Sequence, residues 1–75
     1  MALSATEARL AGLLLAEPGA VISEAELATA AFEDGAGTRR ALHAHVYRLR
    51  LKLRALEGLE IQAVRQRGFR AVLAP

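Results

Sequence analysis

The sequence predicts an α+β fold: three helices followed by a C-terminal β-hairpin, in one domain spanning residues 1–75. Three observations carry that prediction. Ser or Thr capping positions recur ahead of apolar runs with helical period. The helical period stops at Gly58 and an extended, hairpin-like pattern follows it. A length of 75 residues leaves room for a single small core.

The elements follow in order. Ser4 with Glu7 forms a capping box, with Leu3 as its staple residue, and Leu10, Leu13 and Leu14 supply one apolar face. Pro18 disfavours helical geometry at Glu17, so the first helix is expected to stop near Ala16. Val21 and Ile22 are a β-branched pair, enough for a short strand. Ser23 with Glu26 repeats the capping box and opens a shorter helix carrying Leu27, Ala30 and Ala31, which Phe32 closes against the core. Residues 33–37 read as a flexible acidic loop. Thr38 caps a third helix that runs to about Leu56, where Gly58 ends it. Two strands, 60–64 and 69–73, then flank Arg65-Gln66-Arg67-Gly68, with Gly68 supplying the positive φ of a tight turn.

The third helix carries the most information. Leu42, Val46, Leu49, Leu53 and Leu56 are spaced 4, 3, 4 and 3 apart and form one stripe expected to be buried. At about 100° per residue, Arg40, Ala44, Tyr47, Arg48 and Leu51 lie on the opposite side. Arg39, Arg50 and Arg54 occupy one flank, His45 and Lys52 the other, and residues 39–56 contain no acid. A merely solvated face would mix lysine with glutamate; an outward face of arginine, one aromatic and small residues suits insertion into a groove.

Composition narrows the function. Cysteine is absent, so disulfides, thiolate metal sites and a cysteine nucleophile are excluded. No apolar stretch is long enough for a bilayer, and the N-terminus carries no basic region as in a secretory signal. A small, soluble, intracellular domain is the expectation, with no membrane partner. A chain this short buries only about 60% of its unfolded surface, which argues against a deep substrate pocket. His43 and His45 form a His-x-His pair, but on a helix their directions differ by about 200°, so no metal site is expected. Ser4 and Ser23 read as caps rather than nucleophiles, since no activated base accompanies them. Neither an enzyme nor a cofactor nor a small-molecule substrate is expected.

The formal charge of +2 conceals a strong polarity. Residues 1–37 hold one base and six acids, net −5, while residues 38–75 hold nine bases and two acids, net +7. Nine of the ten cations are arginine, the side chain suited to planar recognition of phosphate and guanine. An acidic half joined to an arginine-rich half points to a nucleic-acid partner.

The order of elements is that of a helix-turn-helix variant followed by a β wing, and residues 40–53 (RALHAHVYRLRLKL) resemble the recognition helix of OmpR/PhoB-type winged-helix domains. Those are the DNA-binding output domains of bacterial response regulators. Residues 3–7 are similar to the start of that family's first helix, 18–23 to its turn into the second, and 61–70 to its wing hairpin, so the likeness runs from Leu3 to about Leu73. The resemblance implies sequence-specific binding of duplex DNA in the bacterial cytoplasm, for transcription regulation. It implies base contacts in the major groove from Ala44 and Arg48. Leu51, on the same outward face, is offered to a thymine methyl as a third base contact, to the surface that the platform would cover, or to a dimer contact. It implies phosphate contacts from Arg40, His45, Tyr47 and Arg50, and a minor-groove contact from Arg65, with Arg67 beside it at the wing tip. The resemblance also implies that Glu33 and Asp34, in the loop of residues 33–37, match the segment that can touch RNA polymerase. His43 stands where the family usually has aspartate, Gln66 where it has a wing-tip glycine, and Ala63 where threonine often meets phosphate. The family's N-terminal four-stranded platform, about 25 residues, and its receiver domain have no counterpart in these residues. Apolar surface on the first helix and at Val21-Ile22 is therefore expected to be exposed, which suggests homodimerisation or tandem binding. A second reading keeps the fold but makes it a protein-interaction module that binds RNA polymerase or another regulator without DNA. The acid-free third helix argues against it.

Overall fold

The computed structural model describes residues 2–32 and 37–73. Three helices come first, α1 (Ala5–Ala16), α2 (Glu24–Ala31) and α3 (Arg39–Glu57), and an antiparallel hairpin of β1 (Leu59–Val64) and β2 (Gly68–Leu73) completes the chain. Each helix starts where a hydroxyl satisfies its otherwise unpaired amides. Ser4 Oγ accepts from the Glu7 amide while the Glu7 carboxylate accepts from the Ser4 amide, a reciprocal box. Thr38 Oγ1 accepts from the Ala41 amide. At α2 the described bonds include only the hydroxyl half, Ser23 Oγ from the Glu26 amide; the Glu26 side chain does not reach back, which corrects the expected second box. α3 ends one residue later than expected, at Glu57, with Gly58 in the left-handed conformation.

The core is built from one face of every element. Leu10 and Leu14 of α1, Leu27 of α2, Leu42, Val46, Leu49 and Leu53 of α3, Ile61 of β1 and Phe69 and Ala71 of β2 are all buried. Leu56 departs from the expected stripe and is 49% exposed. The apolar spacing continues to Leu56, but the chain turns back at Gly58 into β1, and none of the described elements covers Leu56. Phe32 caps α2 half-buried against the core, as its position suggested.

The expected strand at Val21-Ile22 reduces to a single bridge. Ile22 exchanges both backbone hydrogen bonds with Phe69, at 2.8 and 3.0 Å, and Val21 is left partly exposed. The Gly19 amide adds a third bond, to the Ala71 carbonyl at 2.9 Å. This segment therefore covers the outer edge of β2, a row of groups that would otherwise be open to another chain. The close approach dictates Gly68. Its φ is 146°, and a Cβ there would lie 1.9 Å from the Ile22 carbonyl oxygen. The hairpin turn is closed by a 2.9 Å bond from the Arg67 amide to the Val64 carbonyl. Gln66, not only Gly68, takes positive φ within it, at 63°. The wing tip thus keeps, with a glutamine, a left-handed residue of the kind usually supplied by glycine.

Candidate nucleic-acid interface

α3 spans 19 residues, about 28 Å at the α-helical rise, and its buried stripe turns the opposite face outward. On that face Arg40, Tyr47, Arg48 and Leu51 are exposed and Ala44 is half-buried between them. Tyr47 and Leu51 are 58% and 53% exposed, an unusual cost for large apolar side chains in a domain with so small a core. His45 is less free than its flank position suggested. It packs against Phe32 at 5.9 Å between ring centres, and its Nδ1 accepts from Arg48 Nη2 at 3.2 Å. That bond requires an unprotonated Nδ1, and it holds the Arg48 guanidinium beside the α3 surface.

Arg50 lies on the other flank, where with Arg54 it lines a cavity of about 490 Å³ against β1 residues Glu60, Ile61, Gln62 and Ala63. Its Nε is buried and has no hydrogen-bond partner among the described residues. Arg65 and Arg67 are exposed on the wing turn. Glu33 and Asp34, expected in a polymerase-contacting loop, lie outside the described residues.

Internal pairing sorts the cations. Lys52 belongs to the scaffold: its ammonium donates to Glu7 Oε1 at 2.6 Å and to the Ala2 carbonyl at 3.1 Å. Glu7 is 2% exposed, and the Lys52 hydrogen bond, helped by the Ser4 amide, holds its carboxyl below the usual carboxylate range against the cost of burial. The pair locks α1 to α3. Arg9 donates to the Ala30 carbonyl at the end of α2, and Arg70 donates to Gln62 across the hairpin. Among the described residues Arg40, Arg48, Arg50, Arg54, Arg65 and Arg67 pair with no acid, backbone carbonyl or amide side chain, and all six lie on α3 or the wing turn.

One cluster was not foreseen. Glu24, the first residue of α2, accepts from Arg39 Nε at 3.1 Å and from His43 Nε2 at 2.5 Å. These hydrogen bonds, His43 first and Arg39 second, hold the Glu24 carboxyl below its ordinary range. His43 in turn packs nearly perpendicular to the Phe69 ring, with centres 5.6 Å apart. The three residues form one wall of a cleft of about 480 Å³ whose other wall is the wing turn. Its partners are 15 and 19 residues apart in sequence, so no local motif signals it.

Among the described residues no group of three or more potential metal ligands comes together, and no helix is long and apolar enough to cross a membrane.

Comparison with known proteins places this geometry. The sequence model of the family described as "Transcriptional regulatory protein, C terminal" matches residues 1–71. The chain belongs to that family, whose OmpR/PhoB-type effector domains its recognition-helix and wing segments resemble. Among solved structures it is similar to the DNA-binding domain of the response regulator AdeR, determined in complex with an intercistronic region. The two share 26% identity and a TM-score of 0.79, over 100% of this chain and 79% of that one. The three helices and hairpin are accordingly those of a winged helix. No curated protein matches the chain.

Proposed function

We propose that this domain regulates transcription by binding duplex DNA sequence-specifically, with α3 in the major groove and the wing turn on the adjacent minor groove. The observation that carries the reading is the outward face of α3. It presents Arg40, Tyr47, Arg48 and Leu51 to solvent, contains no acid over residues 39–56, and is continued by Arg65 and Arg67. A helix with its side chains is about 10–12 Å across, and the major groove about 12 Å wide. Arg48 and Ala44 meet base edges there, and Leu51 meets a thymine methyl. Arg40, Tyr47, His45 and Arg50 lie to either side, toward the phosphate strands. Arg65 enters the minor groove, with Arg67 on its rim. Phosphate contacts fix register, while the base contacts carry sequence information. The likeness to a domain solved with DNA supports the same reading.

The partner is therefore double-stranded DNA, and the site of action is wherever the chromosome lies. A mobility-shift titration against ionic strength tests this. Neutralising about three to five phosphates gives a log–log salt slope of about −3 to −5. Binding that is insensitive to salt, or unchanged after Arg40, Arg48 and Arg65 are all replaced by alanine, would refute it.

A further inference from the structure

We propose that His43 is a further DNA-backbone contact, one that engages phosphate in its protonated form and that Glu24 holds in check. The inference rests on the DNA-binding reading above. It concerns the cleft between the start of α2, the first half of α3 and the wing turn, which Glu24, Arg39, His43, Arg65, Arg67 and Phe69 help to line.

The cleft lies where a phosphate strand would pass between a helix in one groove and a wing on the next. Its walls carry three arginines, a histidine and one carboxylate. The carboxylate faces inward and binds two of those bases, Arg39 at 3.1 Å and His43 at 2.5 Å. Glu24 thus stands in the cleft as an internal rival of phosphate for the same donors. The charged and titratable groups around His43 are Glu24 from α2, Arg39 from α3, and Arg65 and Arg67 from the wing turn. Phe69 from β2 contributes an apolar ring face.

With neutral His43 the net charge of these five groups is +2, and with protonated His43 it is +3. Since Glu24 can only accept, His43 Nε2 carries a proton in both states, so protonation occurs at Nδ1 and leaves the Glu24 bond in place. The Nδ1–H is then a second donor for an incoming phosphate, and the added charge offsets that of Glu24. His45 differs: its Nδ1 is already occupied by Arg48 as donor. Protonation of His43 therefore strengthens DNA binding, so affinity rises as pH falls.

Fluorescence polarisation with a labelled duplex of mixed sequence tests this, comparing about pH 8 with about pH 6 at fixed ionic strength. One added charge about 5 Å from a phosphate strengthens binding about three- to fivefold in a water-like dielectric. The wild type is expected to gain that factor at the lower pH. His43→Gln is expected to lose the gain, and His45→Gln to keep it from a weaker baseline. Glu24→Gln is expected to bind more tightly than wild type at both pH values. A wild type that binds equally at both, or a His43→Gln variant that retains the full gain, would overturn the proposal while leaving DNA binding intact. A wild type that binds no duplex at either pH overturns the DNA-binding reading and this inference with it.

Discussion

Gly68→Ala is the substitution whose cost can be worked most completely from the geometry. The new methyl would lie 1.9 Å from the Ile22 carbonyl oxygen and 2.8 Å from its carbon, both backbone atoms that no rotamer change can move. At φ 146° an alanine is strained even in open space, at about 1–3 kcal/mol. Relief requires β2 to part from residues 19–22, breaking the two Ile22–Phe69 hydrogen bonds. Each is worth about 1 kcal/mol net, and the parting also uncovers Phe69. The sum is about 3–5 kcal/mol. A 75-residue domain has about 4–11 kcal/mol in all, so the variant loses from about a quarter of its stability to all of it. At about 4–8 °C per kcal/mol, Tm falls by about 12 °C or more. Gly12→Ala is the control: it sits within α1 with nothing within 4 Å of a new Cβ, and gains about 0.5–1 kcal/mol from helix propensity. Urea and thermal unfolding of both variants measure the difference. A Gly68→Ala domain within 1 kcal/mol of wild type would refute the claim that the edge of β2 is held by this approach.

Three other outcomes follow from the packing and the charges. Lys52→Met leaves Glu7 buried with only its Ser4 contact, and is expected to cost about 2–3 kcal/mol, less than a fully enclosed pair because Lys52 is 25% exposed. Because folding lowers the Glu7 pKa, the Glu7 contribution is full above the ordinary carboxylate range and is lost as pH falls through the folded value. The acid limb of an unfolding curve is thus expected to flatten in Lys52→Met, and an unchanged limb would contradict the lock. Leu53→Ala is expected to cost about 2–4 kcal/mol, whereas Leu56→Gln stays within about 0.5 kcal/mol, as denaturant midpoints can show. In DNA binding, Arg48→Ala is expected to lose about 1–3 kcal/mol of discrimination between duplexes, while Arg40→Ala weakens all duplexes alike.

What the sequence made legible is what short range determines. The caps at Ser4, Ser23 and Thr38 and the stop at Gly58 act within a few residues, and the 4-3 spacing of Leu42, Val46, Leu49 and Leu53 reports directly which way α3 faces. Periodicity shows where an apolar stripe lies on a helix, not how far the neighbouring elements extend along it, so the spacing runs on to Leu56 while the burial does not. The strand at residues 21–22 was overestimated for a related reason: β-branching favours extended backbone, but ladder length is set by how long β2 runs alongside. Helical period places Lys52 on a flank of α3 beside His45, and only the fold brings it to Glu7, 45 residues away. The Glu24 cluster was hidden in the same way, since an acid in the negatively charged half gives no sign that it reaches into the positively charged one. Of the candidate DNA contacts, Arg40, Tyr47, Arg48, Leu51, Arg65 and Arg67 do reach solvent together, because their exposure follows from helical period and from the hairpin turn alone. His45 and Arg50 are half-buried on the two flanks, beside Phe32 and β1, contacts that only the fold brings about.

Selection of bound fragments from a random duplex pool, carried out with wild type and with Arg48→Ala, tests the central claim most directly, because it reads affinity and base preference together. Sequence-specific binding through α3 predicts a defined enriched motif for wild type and a motif degraded at particular positions for the variant. Recovery of no duplex at low salt, or an identical motif from both proteins, would contradict it.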